Sequence, residues 1–156
     1  MQAYIRNDAR TRYLPTSGLS QLVKDIAHLC LTYKPAEVLV NLSDNDLTLT
    51  SVRELVELLD INKDIHGILA LDLSLNRVQA SWEEIVPLIA TLLKNPLVQY
   101  LNLSLNYLPA LETLNDNPSV KQELYSYGRR LSLGYNNQLL VGELVTRPLG
   151  SHSENT

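Results

Sequence analysis

The chain has 156 residues, of which 45% are hydrophobic and 19% are charged, and its formal net charge is −4. This composition is typical of one globular domain and excludes a chain that is disordered throughout. It also disfavours nucleic acid and anionic membranes as partners, because the largest basic cluster is the pair Arg129-Arg130. The single cysteine, Cys30, excludes an intramolecular disulfide and a cysteine-based metal cluster. We therefore expect no metal and no cofactor.

Residues 1–35 are predicted to form an irregular lead-in followed by one helix. The first 16 residues carry scattered charges and Pro15, which favours irregular structure. A helix face begins at Leu19, with apolar residues at helical spacing as far as Cys30, and Pro35 ends it. Because no strand pattern precedes this helix, we expect it to be an N-terminal cap. No segment has the roughly 20 apolar residues that a membrane helix needs, which predicts a soluble chain.

Residues 36–137 repeat one pattern about every 30 residues. The pattern of Ile68–Val78 recurs in Val98–Leu108, and asparagines stand at 45, 76, 106 and 136. Alternating apolar residues before each asparagine predict four short strands with one buried face. A strand, a helix and another strand at a fixed short period predict an α/β fold with parallel strands and right-handed crossovers. The buried positions are Val40, Leu42, Leu71, Leu73, Leu101, Leu103, Leu131 and Leu133.

The segments between these strands carry helix-start signals. Ser51–Glu54 and Ser81–Glu84 each have the form of a capping box, in which the first and fourth residues exchange hydrogen bonds. Pro87 conflicts with a regular helix from Ser81, so we expect the regular part to begin near Glu84. Asn117-Pro118 predicts another helix start, with asparagine as the N-cap.

Residues 138–156 do not follow the repeat. Leu139–Val145 is predicted to form a last strand or a lid, and the remainder is predicted to be a loose tail. Stacked repeats need a polar end cap. We therefore expect either this segment or weak self-association through the C-terminal end to shield the last strand.

The pattern Leu-x-x-Leu-x-Leu-x-x-Asn-x-Leu, complete in Ile68–Val78 and Val98–Leu108, resembles that of leucine-rich repeats. The period near 30 and the helical segments are similar to the ribonuclease-inhibitor-like class. The resemblance implies a short solenoid arc with parallel strands on the concave side and helices on the convex side. In such a fold the asparagine side chains bond the backbone where each strand ends, so they are predicted to be structural rather than ligand-binding.

The resemblance also implies that the concave face and its C-terminal rim bind a protein. Aromatic side chains and arginine are the residues that interfaces favour, and five of the eight tyrosines lie from Tyr100 onward. In the alternative interpretation, Leu75 and Leu105 pack under the loop and the tyrosines merely cover it. The predicted partner-binding residues are Asp72, Leu75, Arg77, Tyr100, Asn102, Leu105, Tyr107 and Tyr135.

No catalytic residues are predicted, and we expect a non-catalytic interaction module. His28 and Cys30 lie two residues apart on a helix and therefore face different directions. One alternative is a GTPase-activating regulator of a small GTPase with Arg77 as its arginine, and another is a structural assembly subunit. A short chain of this type also resembles a bacterial effector, which is either cytoplasmic or secreted into a host cell by a dedicated system.

Overall fold

A computed structural model of the chain describes residues 2–6, 16–62, 65 and 68–134. The predictions for Tyr135, Asn136 and residues 138–156 lie outside these ranges. In the described ranges five parallel strands form one sheet in chain order, which confirms the α/β class and the parallel arrangement. The strands are β1 (Gln2–Arg6), β2 (Glu37–Asn41), β3 (Ile68–Asp72), β4 (Val98–Asn102) and β5 (Leu131–Ser132).

The first strand lies where the sequence predicted irregular structure. β1 pairs with β2 over its whole length, with Gln2 opposite Glu37 and Arg6 opposite Asn41. Helix α1 (Thr16–Tyr33) therefore lies between two parallel strands along the chain. The prediction of a capping helix without a strand before it is wrong. A strand that follows no leucine pattern can still satisfy the backbone groups of its neighbour, because the pairing uses the main chain alone.

The remaining helices connect the later strands. Apolar side chains of these helices share one buried core with alternate strand residues such as Leu71 and Leu101. The other face of the strands is half-buried, and we call it the open face; its residues are Leu39, Asn41, Ala70, Asp72, Tyr100, Asn102 and Ser132. The helices are α2 (Leu49–Ile61), α3 (Trp82–Lys94) and α4 (Pro118–Ser126), together with the short 3-10 helices Leu111–Asp116 and Gly128–Arg130.

Helix α2 begins earlier than the sequence predicted. Its N-cap is Thr48, and Ser51 occupies the third helical position rather than the cap. The Thr48 N–H donates to Ser51 Oγ at 3.0 Å, so Ser51 takes the part assigned to Glu54. A serine can fill either place of a capping box, because its hydroxyl both donates and accepts.

Helix α3 keeps its predicted capping box but not its predicted late start. Ser81 N–H donates to Glu84 Oε1 at 3.0 Å, and Glu84 N–H donates to Ser81 Oγ at 3.1 Å. The helix begins at Trp82 and runs through Pro87, whose side chain is exposed. Pro87 removes one backbone donor, but only in the second turn of the helix. The capping box stabilises the first turn, so the helix can still begin at Trp82. Helix α4 begins as predicted, because Asn117 Oδ1 accepts from Val120 N–H at 3.4 Å.

None of the helices in the described ranges is long and apolar enough to cross a membrane.

Candidate functional site

The carboxyl ends of β2 and β3 are joined by the buried side chain of Asn76. Its Oδ1 accepts from the backbone N–H groups of Asn45 and Leu47, at 2.8 and 3.0 Å. Its Nδ2 donates to the carbonyl oxygens of Leu42 and Leu73, each at 3.0 Å. A carboxamide can do this because it carries an acceptor and two donors on one short side chain.

Asn106 repeats this arrangement one strand further on. Its Oδ1 accepts from Val78 N–H at 2.9 Å, and its Nδ2 donates to the carbonyl oxygens of Leu73 and Leu103 at 3.0 Å. Asn45 is also fully buried. We call Asn45, Asn76 and Asn106 the inner column. Their bonds agree with the structural role that the sequence predicted, and they leave no side-chain donor of Asn76 or Asn106 for a partner.

A second column of short polar side chains lies on the open face, and we call it the outer column: Asn41, Asp72 and Asn102. These residues are aligned across the sheet, with Asn41 opposite Asp72 and Asp72 opposite Asn102. The Oδ1 atom of each accepts from the N–H of the serine two residues later at 3.0 Å, and from its hydroxyl at 2.6–2.7 Å. Two of the predicted partner-binding residues, Asp72 and Asn102, thus also stabilise the turn after their strand.

Tyr100 lies on the open face next to this column. It stands opposite Ala70, where an irregularity in the pairing of β3 and β4 accommodates an extra residue, Gln99. Burial raises the pKa of Tyr100, a hydrogen bond with the Ser132 side chain lowers it, and the negative charge of Asp72 raises it. Asp72, Tyr100 and Ser132 therefore lie near one another on the open face of β3, β4 and β5.

The chain turns sharply after β2, β3 and β4, through residues with left-handed backbone conformation. Asp44, Leu75 and Leu105 have φ values of 61°, 56° and 60°. Asp44 N–H donates to Ser74 O and Leu75 N–H donates to Ser104 O, both at 3.2 Å, which aligns these turns side by side. Leu75 is 50% exposed, so the interpretation that it packs under the loop is wrong for this residue.

Asp46, Arg77 and Tyr107 lie two residues after these left-handed positions, at the same edge of the sheet. Arg77 N–H donates to Leu47 O at 2.7 Å, and Tyr107 N–H donates to Val78 O at 2.9 Å. The guanidinium of Arg77 is 3.9 Å from Asp46 Oδ1, and both side chains are more than half exposed. Such an exposed pair stabilises the fold by at most about 1 kcal/mol, so Arg77 can exchange this contact for another. We call this edge the rim: Asp44, Asp46, Leu75, Arg77, Leu105 and Tyr107.

The structure therefore brings seven of the eight predicted partner-binding residues onto the adjoining open face and rim. The eighth, Tyr135, lies outside the described residues. The sequence prediction did not include Asp44, which is aligned with Leu75 and shares its left-handed backbone. This alignment was visible in the repeat. Aspartate adopts that backbone more readily than leucine, so Asp44 indicated where a leucine would be held in an unfavourable conformation.

Three further titratable side chains, His28, Cys30 and Glu84, lie on helices α1 and α3. Cys30 is buried and His28 is exposed, 3.4 Å from the Thr32 hydroxyl through its Nε2. The pKa of Glu84 is lowered, chiefly by its hydrogen bond from the Ser81 backbone. No group of three or more His, Cys, Asp or Glu side chains that could hold a metal occurs among the described residues. A shallow groove of about 400 Å³ beside Leu59 and Pro96 lies on the helical side, away from the open face.

No protein-family model matches the chain, and no curated protein matches its sequence.

Proposed function

We propose that this chain is a leucine-rich-repeat protein of the ribonuclease-inhibitor-like class whose open face and rim bind a protein partner without catalysis. In this proposal the strands line the concave side of a short solenoid arc and the helices form the convex side. Parallel strands in chain order, with asparagine side chains joining successive strand ends, support the proposed fold. The pair β1 and α1 then covers the N-terminal end in place of a lone helix.

The observation that carries the binding proposal is the state of Leu75. Its backbone is left-handed at φ 56°, a conformation that costs a residue with a Cβ atom roughly 1–2 kcal/mol. Its side chain is also 50% exposed, so the free protein gains little from burying it. Residues held in unfavourable backbone conformations cluster at binding sites, where the surrounding structure maintains them. A partner that covers Leu75 supplies the burial that the isolated chain lacks.

The neighbours of Leu75 have the character of an interface. Leu105 shares its left-handed turn on the next strand, and Tyr107 and Arg77 follow at the same edge. Interfaces are enriched in tyrosine and arginine around a central apolar contact. On the other side the rim becomes acidic at Asp44 and Asp46. The surface therefore offers an apolar centre with polar and charged surroundings.

Replacing Leu75 by asparagine tests this proposal, because asparagine tolerates the left-handed conformation but removes the apolar contact. We expect Leu75→Asn to raise the free energy of unfolding by about 1 kcal/mol relative to the wild type, as measured by urea titration. We also expect its affinity for a captured partner to fall roughly fivefold to tenfold, since burying half a leucine side chain stabilises by about 1 kcal/mol. Affinity capture followed by quantitative mass spectrometry identifies the partner, and calorimetry measures the affinity.

The matched control is Leu31→Gln. Leu31 is 54% exposed on α1, so this variant removes a similar exposed leucine at a distance from the rim. We expect it to retain the wild-type partner and affinity. If Leu75→Asn retains every partner of the wild type with unchanged affinity, the rim is not the binding surface.

A further inference from the structure

The outer column contains one charged residue between two neutral ones. Asn41 and Asn102 bond their serines through Oδ1 at 3.0 and 2.6–2.7 Å, and Asp72 does the same at 3.0 and 2.7 Å. The turn therefore needs one acceptor oxygen and no negative charge. Oδ2 of Asp72 accepts no hydrogen bond from the described residues, and the side chain is only half-buried. The hydrogen bonds that Asp72 accepts from the described residues therefore do not require its charge.

The strands paired directly with β3 do not neutralise this charge. Strands β2 to β5 contain two acidic residues, Glu37 and Asp72, and no lysine or arginine. Arg130 directly precedes β5, but its guanidinium donates to the carbonyl oxygens of Leu93 and Val98. The part of the open face formed by β2 to β5 is therefore complementary to a positive charge at Asp72.

The surroundings of Asp72 favour a particular kind of cation. The aromatic ring of Tyr100 lies on the neighbouring strand, near enough for the charge of Asp72 to influence its hydroxyl. A guanidinium is planar, so it can donate to a carboxylate and stack on an aromatic ring at the same time, whereas an ammonium is a compact point charge. The apolar rim is close: Leu75 follows Asp72 by three positions, so their Cα atoms are at most about 11 Å apart.

We infer that Asp72 binds an arginine side chain of a partner segment that places an apolar side chain on Leu75. This inference rests on the proposed function, because it assumes that the open face and the rim bind a protein. It adds the chemistry of the partner: an arginine and a large apolar residue, separated by about three residues of extended chain. Asp72 then determines specificity, and Leu75 contributes apolar contact.

A peptide selection tests the inference without knowledge of the natural partner. A phage-displayed library of random dodecapeptides is selected on immobilised wild-type protein, on Asp72→Asn and on Leu75→Asn. On the wild type we expect arginine to be enriched at least threefold over the input library, at a fixed distance from a large apolar residue. On Asp72→Asn the enrichment of arginine disappears and that of the apolar residue remains, since asparagine preserves the turn as Asn41 and Asn102 do.

The strongest wild-type peptide then enters a double-mutant cycle. Arginine in the peptide is replaced by citrulline, which has nearly the same shape and no charge. Asp72→Asn alone and citrulline alone should each lower the affinity about tenfold, and the two together should lower it no further, since both remove one contact. Glu57→Gln, which removes an exposed charge on α2, is the control and should leave the affinity unchanged.

The inference would be overturned by a wild-type selection without arginine enrichment, by enrichment that Asp72→Asn leaves intact, or by additive effects in the cycle. A preference for lysine equal to that for arginine would overturn the choice of a guanidinium. A wild-type protein that selects no peptide also overturns it. The proposed function fails separately, if Leu75→Asn leaves both the apolar preference and the capture of partner proteins unchanged.

Discussion

The inner and outer columns use almost the same residues in two different ways. In the inner column, Asn76 makes five hydrogen bonds, and three of them reach the strand before it or the loop that follows that strand. In the outer column, Asn41, Asp72 and Asn102 each accept from the serine two residues ahead in their own strand end. The inner column joins one strand end to the next, and the outer column fixes a single turn.

This difference determines which positions are free to carry specificity. The inner task requires both an acceptor and donors, so only a carboxamide performs it. The outer task requires one acceptor oxygen, which asparagine and aspartate supply equally well. Exchanging asparagine and aspartate should therefore destabilise the fold in the inner column and leave its stability nearly unchanged in the outer column. Variation at the outer column, such as the single carboxylate of Asp72, can follow the needs of a partner.

The strongest test of this comparison exchanges asparagine and aspartate in both columns. Asn76→Asp replaces the donating Nδ2 by an oxygen that faces the carbonyl oxygens of Leu42 and Leu73. We expect this buried, unpaired charge to lower the free energy of unfolding by about 3–5 kcal/mol, measured by urea titration at pH 7. The reverse exchange outside, Asp72→Asn, should change it by less than about 0.5 kcal/mol.

Equal effects of the two exchanges would remove the distinction between the columns. Asn106→Asp provides an independent repeat of the inner exchange on the next strand. It should also be strongly destabilising, because Asn106 donates to the carbonyl oxygens of Leu73 and Leu103.

A smaller effect is expected when the outer column loses its acceptor altogether. Asn102→Ala removes the bonds from Ser104 N–H and Ser104 Oγ, at 3.0 and 2.6 Å. Because this site is only half-buried, water can replace the lost acceptor, and we expect a loss of about 1 kcal/mol in chemical unfolding. Asn102→Ser, which keeps a short acceptor, should recover part of the loss. A loss as large as that of Asn76→Asp would show that the outer column also joins the strands.

Much of the fold followed from the spacing of residues in the repeat. Leucines two residues apart place one strand face in the core, and asparagines 30 or 31 residues apart indicate a bonded column, because both depend on short-range periodicity. Strand β1 could not be predicted in this way. Its segment Gln2–Arg6 has no leucine repeat, and its existence depends on backbone pairing with β2.

The site was predicted less completely than the fold. The sequence predicted Asp72 and Leu75 as partner-binding residues, but it did not reveal what either one does. The bond from Ser74 to Asp72 and the exposure of Leu75 depend on where each turn directs the chain. Similarly, the extra residue at Gln99 shifts the pairing of β4 and sets the place of Tyr100, which regular alternation does not predict.

The smallest expected effect concerns the contact between the outer column and Tyr100. The charge of Asp72 contributes to raising the pKa of Tyr100 above 10.0, after burial as the main cause. Asp72→Asn should therefore lower this pKa, although burial keeps it above the usual value. The protonated form of Tyr100 stabilises the fold fully below the unfolded pKa, and this contribution is lost as the pH rises through the folded pKa. In Asp72→Asn the loss should occur at lower pH.

Alkaline titration of ¹³Cζ-labelled tyrosine by NMR measures the shift in the pKa of Tyr100, with Glu57→Gln as the control for net charge. An unchanged pKa of Tyr100 would mean that Asp72 and this ring do not form one site, and an arginine could then not contact both.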